Sequence, residues 1–472
     1  MNTSKPSGNK LTLFTICVAA FLTPFSVSTM NIITPELAAH FNANAVLLAW
    51  MNTAFFLGAG IVLMPAAKLC DIFGRKKIYA IGVGGFALFS FLSAASFSIW
   101  MLLSLRFLQG MCGAFIVGPA MALTTALFPA SHRGRALSIM VGAVYLGSSV
   151  GPFVGGWLSY YWGWRSVFVL FGLLGLAGFV LIKFFVKGEW KAGGTMQNFD
   201  YRGTVMYAIG VAALMLGATH LPGVRPFWIT VAGIMALLSF LKMERDADNP
   251  VFDTTIFAKY MGFSFSSVAA LLHYAAVTAN TLLLSLYLQY ILGYDAHHAG
   301  LLLLPQPVSM LISTLIAGRL ADRMNPSYLA TLGAILAMTA SLMLGLATSP
   351  TMHYIIACQV IIGCGYGFFV SPNTSLIMGS VTPDRYNEAS SVAGTMRLLG
   401  QVFSLGIISV VFALVIGRVE ITPAVYDDFA KSFKIGYCIF AVLCLGVLLL
   451  SLPWKFRRQP PEQIESTNPD RD

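Results

Sequence analysis

Apolar runs of about twenty residues, separated by short polar or basic links, recur from one end of the chain to the other. A run of that length lets a helix cross roughly 30 Å of hydrocarbon. The pattern therefore predicts an all-α polytopic membrane protein with fourteen transmembrane helices. The expected spans are 11–33, 47–69, 78–97, 101–127, 136–160, 166–186, 203–220, 226–242, 262–290, 299–317, 328–347, 353–378, 389–415 and 433–453.

The predicted spans fall into two sets of six with one extra pair between them. We expect a six-helix bundle at 1–188, a linker with two transmembrane helices at 189–260, a second six-helix bundle at 261–453 and a disordered cytoplasmic tail at 454–472. The polar start lacks the pattern of a cleaved signal, so the first span is expected to remain in the protein. The second half repeats features of the first, which is typical of secondary transporters.

The composition excludes a soluble protein, because 57% of the residues are hydrophobic and only 10% are charged. The formal charge of +10 could indicate nucleic-acid binding. With both termini cytoplasmic, however, most Lys and Arg fall at inner ends of spans, so the charge reports membrane orientation in a multi-pass protein of the cytoplasmic (inner) membrane. The basic residues at the outer side are Arg165, Arg225, Arg418, Lys431 and Lys434.

Glycines dominate one face of the fifth predicted span. Gly147, Gly151 and Gly155 repeat every four residues, so a neighbouring helix can approach closely. Pro152 removes a backbone donor and bends the helix, and Gly156 widens the groove beside the bend. This run resembles the antiporter motif in span 5 of major facilitator transporters.

Two links between spans share a pattern of a carboxylate, a glycine and cations. The first link resembles the major facilitator signature loop G-x-x-x-D-R-x-G-R-K, although Ala67 and Ile72 depart from that pattern. In that family the loop latches the two halves in the outward-facing state, and this resemblance implies the same role here. The implied latch residues are Asp71, Gly74, Arg75 and Lys76, and in the second copy Gly318, Asp322 and Arg323.

An arginine inside an apolar run is costly unless it faces a cavity or a partner, and Arg106 lies in the fourth span. It is followed by Gln109 in a pattern that resembles the family's span 4 motif, which implies a role in proton transfer. Because Arg106 is near the outer end of its span, snorkelling to the membrane surface is the alternative.

Several other polar residues interrupt the apolar runs. His273 either forms a hydrogen bond to a neighbouring helix or titrates during transport. Arg397 lies too deep to snorkel easily, so we expect it to face inward. The remaining polar side chains either satisfy their own helices or line a cavity. The cavity candidates are Ser26, Asn31, Asn52, Asn280, Asn373, Arg397 and Gln401.

The chain is similar to the fourteen-span drug:proton antiporters, the EmrB/QacA-like multidrug efflux transporters, from Asn31 to the last span. The resemblance implies a major facilitator fold, alternating access and efflux of drugs or small amphipathic solutes. One position departs from the family, because Ser26 stands where an Asp is usual. Proton coupling would then depend on Glu36, Asp71, His273 or an unidentified group, and neutral, anionic or zwitterionic substrates fit better than strongly cationic ones.

The alternatives are an uncoupled facilitator or importer of a metabolite, and a non-transporting membrane receptor. A membrane enzyme is not expected, because no metal-ligand cluster or paired catalytic groups occur at helical spacing. The seven cysteines are expected to be reduced and structural. We therefore expect a monomer in a lipid bilayer that binds a small-molecule substrate, with the proton as coupling ion, no cofactor, no metal and no nucleic acid.

Overall fold

The computed structural model describes residues 10–452 except 129, 187, 189–199, 221–222, 246–256, 258, 322, 348–349, 382–385 and 418. Its long elements are all helices, and their bounds agree with most predicted spans to within a few residues. The helices are α1 (Lys10–Phe41), α2 (Ala45–Phe73), α3 (Arg75–Ala94), α4 (Ile99–Leu127), α5 (Ala130–Trp162), α6 (Trp164–Phe185), α7 (Tyr201–His220), α8 (Val224–Arg245), α9 (Met261–Val277), α10 (Asn280–Leu286), α11 (Ala296–Leu302), α12 (Pro305–Ala321), α13 (Pro326–Leu346), α14 (Met352–Gly379), α15 (Tyr386–Val415) and α16 (Tyr426–Ser451).

Twelve helices in the described ranges are long and apolar enough to cross a membrane. A π-helical turn, Tyr287–Ile291, continues α10, so 261–291 counts as one of these helices, and α11 with α12 forms another over 296–321. The α5 helix is not among the twelve, and Tyr201–Gly217 of α7 counts as a shorter apolar helix. The chain is thus a multi-pass membrane protein. The largest departures from the predicted bounds are at α1, which continues to Phe41, and α16, which already begins at Tyr426.

Local signals explain where several helices begin and end. Asn44 and Ser98 accept hydrogen bonds from the first-turn amides of α2 and α4, as capping residues do. Gly74 separates α2 from α3 with φ 104°, a conformation that favours glycine, and its amide donates to the Cys70 carbonyl. The chain can therefore reverse within a single residue at this point.

The helices pack as a first bundle, α1–α6, and a second bundle, α9–α16. The second half of α2 approaches the first half of α15, where Gly394 lies beside Leu63. The α5 helix packs against α11 and α12. We call the end of the molecule with Lys10 and Ser451 the terminal end, and the end with the α1–α2 link the loop end.

The α7–α8 hairpin packs on the first-bundle helix α2 and the second-bundle helix α15. Tyr207 of α7 is buried and donates a hydrogen bond to the Gly60 carbonyl of α2 at 2.8 Å. The α8 helix packs mainly on α7 and exposes most of its apolar side chains. The hairpin therefore lies across one junction between the bundles.

Candidate functional site

Arg106 of α4 is fully buried and surrounded by oxygen acceptors. Its Nη1 donates to Ser26 Oγ at 2.8 Å and to Gln109 Oε1 at 2.6 Å. Nη2 donates to Asn52 Oδ1 at 3.1 Å, and Nε donates to the Met51 carbonyl at 3.3 Å. These bonds engage four of its five N–H donors. We call Ser26, Asn52, Arg106 and Gln109 the Arg106 cluster.

The Arg106 cluster holds a cation without a carboxylate. The Phe55 ring lies 4.7 Å from the guanidinium carbon and adds a cation–π contact. Gln109 Nε2 donates to Ser90 Oγ at 2.6 Å, which orients its carbonyl toward Arg106. In the described parts of the chain, Arg106 forms no ion pair. The buried guanidinium faces the bundle interior, so the snorkelling alternative does not fit this structure.

Hydrogen bonds connect the Arg106 cluster to the second bundle through Asn31 of α1. Asn52 Nδ2 donates to Asn31 Oδ1 at 2.6 Å. The backbone carbonyl of Asn31 has no donor four residues later, because Pro35 lacks an N–H. Ser285 of α10 donates to this carbonyl at 2.8 Å across the interface between the bundles.

A second bond across the interface lies beside the first. Gln289 Nε2 donates to the Ile32 carbonyl at 3.1 Å and to Ser285 Oγ at 3.0 Å. Asn31 therefore bonds to the Arg106 cluster through its side chain and to the second bundle through its backbone. We call the Ser285 and Gln289 bonds to α1 the α1–α10 junction.

The glycine run of α5 makes two separate close contacts. Built Cβ atoms at Gly151 and Gly155 would collide with Ser28 and Thr29 of α1, and one at Gly147 would lie 2.6 Å from the Phe21 carbonyl. The predicted flat face thus receives a helix of the same bundle.

The other side of the same run contacts the second bundle. A Cβ atom built at Gly156 would collide with the Ala296 carbonyl of α11, and one at Gly300 with the Pro152 carbonyl. The α1–α10 junction and these α5–α11 contacts hold the bundles together toward the loop end. This second contact was not predicted, because one glycine repeat does not identify two partner helices.

The second bundle has its own buried polar group, centred on Asn280. Its Nδ2 donates to Gln306 Oε1 at 2.8 Å and to Gln359 Oε1 at 3.2 Å. The Tyr437 hydroxyl donates to Asn280 Oδ1 at 2.6 Å. The apolar pattern predicts Asn280 but not its partners, although the amides at 306 and 359 also interrupt apolar runs.

His273 and Glu36, two coupling candidates, lie in different environments. His273 is fully buried and stacks on Phe369 with ring centres 4.1 Å apart. In the described parts of the chain, neither of its ring nitrogens has a hydrogen-bond partner. Glu36 accepts hydrogen bonds from the Ser159 hydroxyl and, at 3.0 Å, from the Trp164 amide. Neither residue contacts the Arg106 cluster.

Other predicted residues are dispersed. Asn373 donates to the Ser266 carbonyl at 3.0 Å and joins α14 to α9. Arg397 and Gln401 are half-buried on α15. The structure thus does not gather the cavity candidates into a single cluster.

The two predicted latch loops are described only in part. Gly74 makes the predicted turn, with Arg75 and Lys76 starting α3, and Asp71 lies in the last turn of α2. Gly318 lies in α12, and Arg323 follows that helix. Asp322 lies outside the described residues, so the second loop's carboxylate stays a prediction.

The sequence matches the Major Facilitator Superfamily over residues 16–405 and 266–471. The chain belongs to this superfamily. Membership is consistent with two bundles that meet at α1–α10 and α5–α11, and it makes the protein a membrane transporter. The superfamily match does not by itself assign the chain to the fourteen-span antiporters.

Similar curated proteins differ in what they carry. The riboflavin transporter RibZ of Clostridioides difficile is 27% identical over 448 residues, covering 94% of this chain and 96% of that protein. The multidrug resistance protein Stp of Mycobacterium tuberculosis is 27% identical and covers 85% and 76%. The cephamycin export protein CmcT of Amycolatopsis lactamdurans is 27% identical and covers 98% and 96%.

Solved structures share the fold at low identity. A POT family transporter in complex with a thioalcohol-conjugated peptide superposes with a TM-score of 0.73 at 14% identity, covering 94% of this chain and 96% of that one. At this identity the likeness concerns the fold alone.

Proposed function

We propose that the protein is a fourteen-span transporter that exports small amphipathic organic solutes by alternating access, coupled to proton entry. The two extra spans are α7 and α8, between bundles of six, and the terminal end is cytoplasmic. The observation that carries this proposal is the continuous set of hydrogen bonds from the buried Arg106 cluster through Asn31 to the second bundle.

Such an arrangement suits a transporter that alternates between two states. The α1–α10 junction and the α5–α11 contacts close the interface toward the loop end in this structure. Opening the loop end must break the Ser285 bond to Asn31, and Asn31 also bonds to Asn52 of the Arg106 cluster. A change at Arg106 can thus alter the stability of the closed junction.

The Arg106 cluster contains no carboxylate, so a group outside the cluster must carry the proton. The Ser26 hydroxyl accepts a bond from Arg106 at the position where related antiporters have an Asp. Of the coupling candidates, His273 is buried and its ring nitrogens have no hydrogen-bond partner among the described residues, whereas Glu36 is already hydrogen-bonded. We therefore favour His273 as the titrating group, acting without direct contact to Arg106.

The test uses purified protein in liposomes with a pH-sensitive dye inside and a fluorescent amphipathic substrate. Substrate-dependent proton movement that is lost in Arg106→Gln and His273→Gln would support coupled export. Ser341→Ala is the matched control, because Ser341 is buried and, among the described residues, bonds only to the Ala337 carbonyl of its own helix.

Ser26 favours a second candidate, an uncoupled facilitator. The same liposomes distinguish it, since substrate flux without proton movement would establish facilitated transport and contradict coupling. Binding without flux would contradict both and favour a receptor.

A further inference from the structure

Arg397 of α15 differs from Arg106 in one decisive respect. Arg106 is fully buried and engages most of its donors, whereas Arg397 is half-buried. Over the described ranges, no hydrogen bond or ion pair of Arg397 is found. An arginine inside a membrane is costly at the centre of a span unless it has a partner. In the described part of the chain, no carboxylate or hydrogen-bond acceptor pairs with Arg397.

Arg397 lies at the interface between the bundles. Gly394, one turn earlier on α15, lies beside Leu63 of α2. Arg397 is also close enough to interact electrostatically with Tyr145 of α5 and Tyr366 of α14. Its neighbours thus come from both bundles, as expected for a group in the transport pathway.

Three tyrosines lie near this position. Gly400, one turn after Arg397 on α15, packs on Tyr274, because a Cβ atom built there would lie 2.8 Å from the Tyr274 Cβ. The Tyr274 and Tyr366 rings meet edge to face with centres 5.8 Å apart, and Tyr145 lies within electrostatic range of both. Tyrosine offers an apolar ring face together with a polar hydroxyl, which suits an amphipathic aromatic ligand.

We propose that Arg397, Tyr145, Tyr274 and Tyr366 form a substrate site for aromatic organic anions. The anionic group of the solute, a carboxylate, sulfonate or phosphate, is the missing partner of the guanidinium, and its ring packs among the tyrosines. This inference rests on the proposed transport function and specifies its substrate class. The Arg106 cluster is not the anion site, because its guanidinium is fully buried and four of its five N–H donors are already engaged.

The test compares three probes of similar shape: 2-naphthalenesulfonate, the neutral 2-naphthalenesulfonamide and the cationic 2-naphthylmethylammonium. Binding to the full-length protein in detergent is measured by calorimetry at fixed ionic strength. We expect the sulfonate to bind at least about tenfold more tightly than the sulfonamide, since charge-assisted hydrogen bonds are stronger than neutral ones. The cation should bind most weakly.

Variants identify the charge responsible. Arg397→Gln should abolish the preference for the sulfonate, and Arg397→Lys should retain part of it. Arg245→Gln, which removes an exposed charge from α8, is the matched control and should leave the preference unchanged. Equal binding of all probes, tighter binding of the cation, or an unchanged preference in Arg397→Gln would overturn the proposal.

Counterflow in liposomes separates this inference from the proposed function. Flux of the cationic or neutral probe without flux of the sulfonate would overturn the anion site while transport stands. Absence of flux for every probe would contradict transport itself. Size-exclusion profiles of each variant confirm that a lost preference does not come from unfolding.

Discussion

Removing the Ser285 hydroxyl should open the loop end of the protein. Ser285 donates to the Asn31 carbonyl at 2.8 Å, and Pro35 denies that carbonyl its usual helical donor. In Ser285→Ala the buried carbonyl would be left unsatisfied, which costs about 1–3 kcal/mol. The cost applies only while the junction is closed, so the equilibrium should shift toward the loop-end-open state by roughly 5–150-fold.

Amide hydrogen exchange in lipid nanodiscs measures this shift, because local opening controls exchange. Peptides covering 285–300 and 150–160 should lose protection in Ser285→Ala. The control is Ser341→Ala, which removes a similarly buried hydroxyl that, in the described ranges, bonds only within α13. Unchanged protection at the loop end, or an equal loss at both ends of the molecule, would refute the reasoning.

A double-mutant cycle tests the role assigned to proline. Pro35→Ala returns a backbone N–H that can bond to the Asn31 carbonyl within α1. Ser285→Ala should then cost less in the Pro35→Ala background than in the wild type, since the carbonyl keeps a donor. Additive effects would show that Pro35 does not make this carbonyl available.

Three further changes have defined outcomes. Ser26→Asp places a carboxylate against Arg106 and should make transport more strongly proton-coupled, measured as dye-reported proton flux per substrate. Gly156→Val should disfavour loop-end closure by about 1–3 kcal/mol, because the added side chain overpacks the contact with α11. Gly142→Val is the control, since a Cβ atom built at Gly142 has no neighbouring atom within 4 Å. Transport assays of both variants check this. Asp295→Ala removes the α11 cap and should lower the free energy of unfolding by about 0.5–2 kcal/mol. Asp295→Asn should keep most of the capping contribution, because its side-chain oxygen can still accept from the His298 amide.

The Asp295 cap also predicts a pH dependence. Partial burial acts to raise the pKa of this carboxyl, but hydrogen bonds from the His298 amide and ring, with the charge of that ring, lower it overall. A carboxyl with a lowered pKa in the folded state stabilises the protein above its unfolded pKa of about 3.9. That contribution should be lost as the pH falls through the folded value. A stability difference between wild type and Asp295→Asn that did not shrink as the pH fell from neutral to below the folded pKa would contradict this.

The sequence by itself determined the class of fold. Runs of apolar residues long enough to span a bilayer predict transmembrane helices directly, because every backbone group in hydrocarbon must be bonded within its own segment. The bounds of most predicted spans agree with the helices for the same reason, since each helix must continue across the whole hydrocarbon layer. The Gly74 turn could likewise be anticipated, since a short link between two spans requires a residue that tolerates positive φ.

Only the tertiary structure decided which polar residues share a cluster. Arg106 and Arg397 are alike in sequence, each an arginine within an apolar run, yet one donates four hydrogen bonds and the other has no bonded partner in the described ranges. The difference depends on side chains from α1 and α2, which helical periodicity within one segment does not reveal. For the same reason, the bond from Ser285 to Asn31 appears only when two bundles meet: proximity across hundreds of residues is a property of packing, not of local pattern.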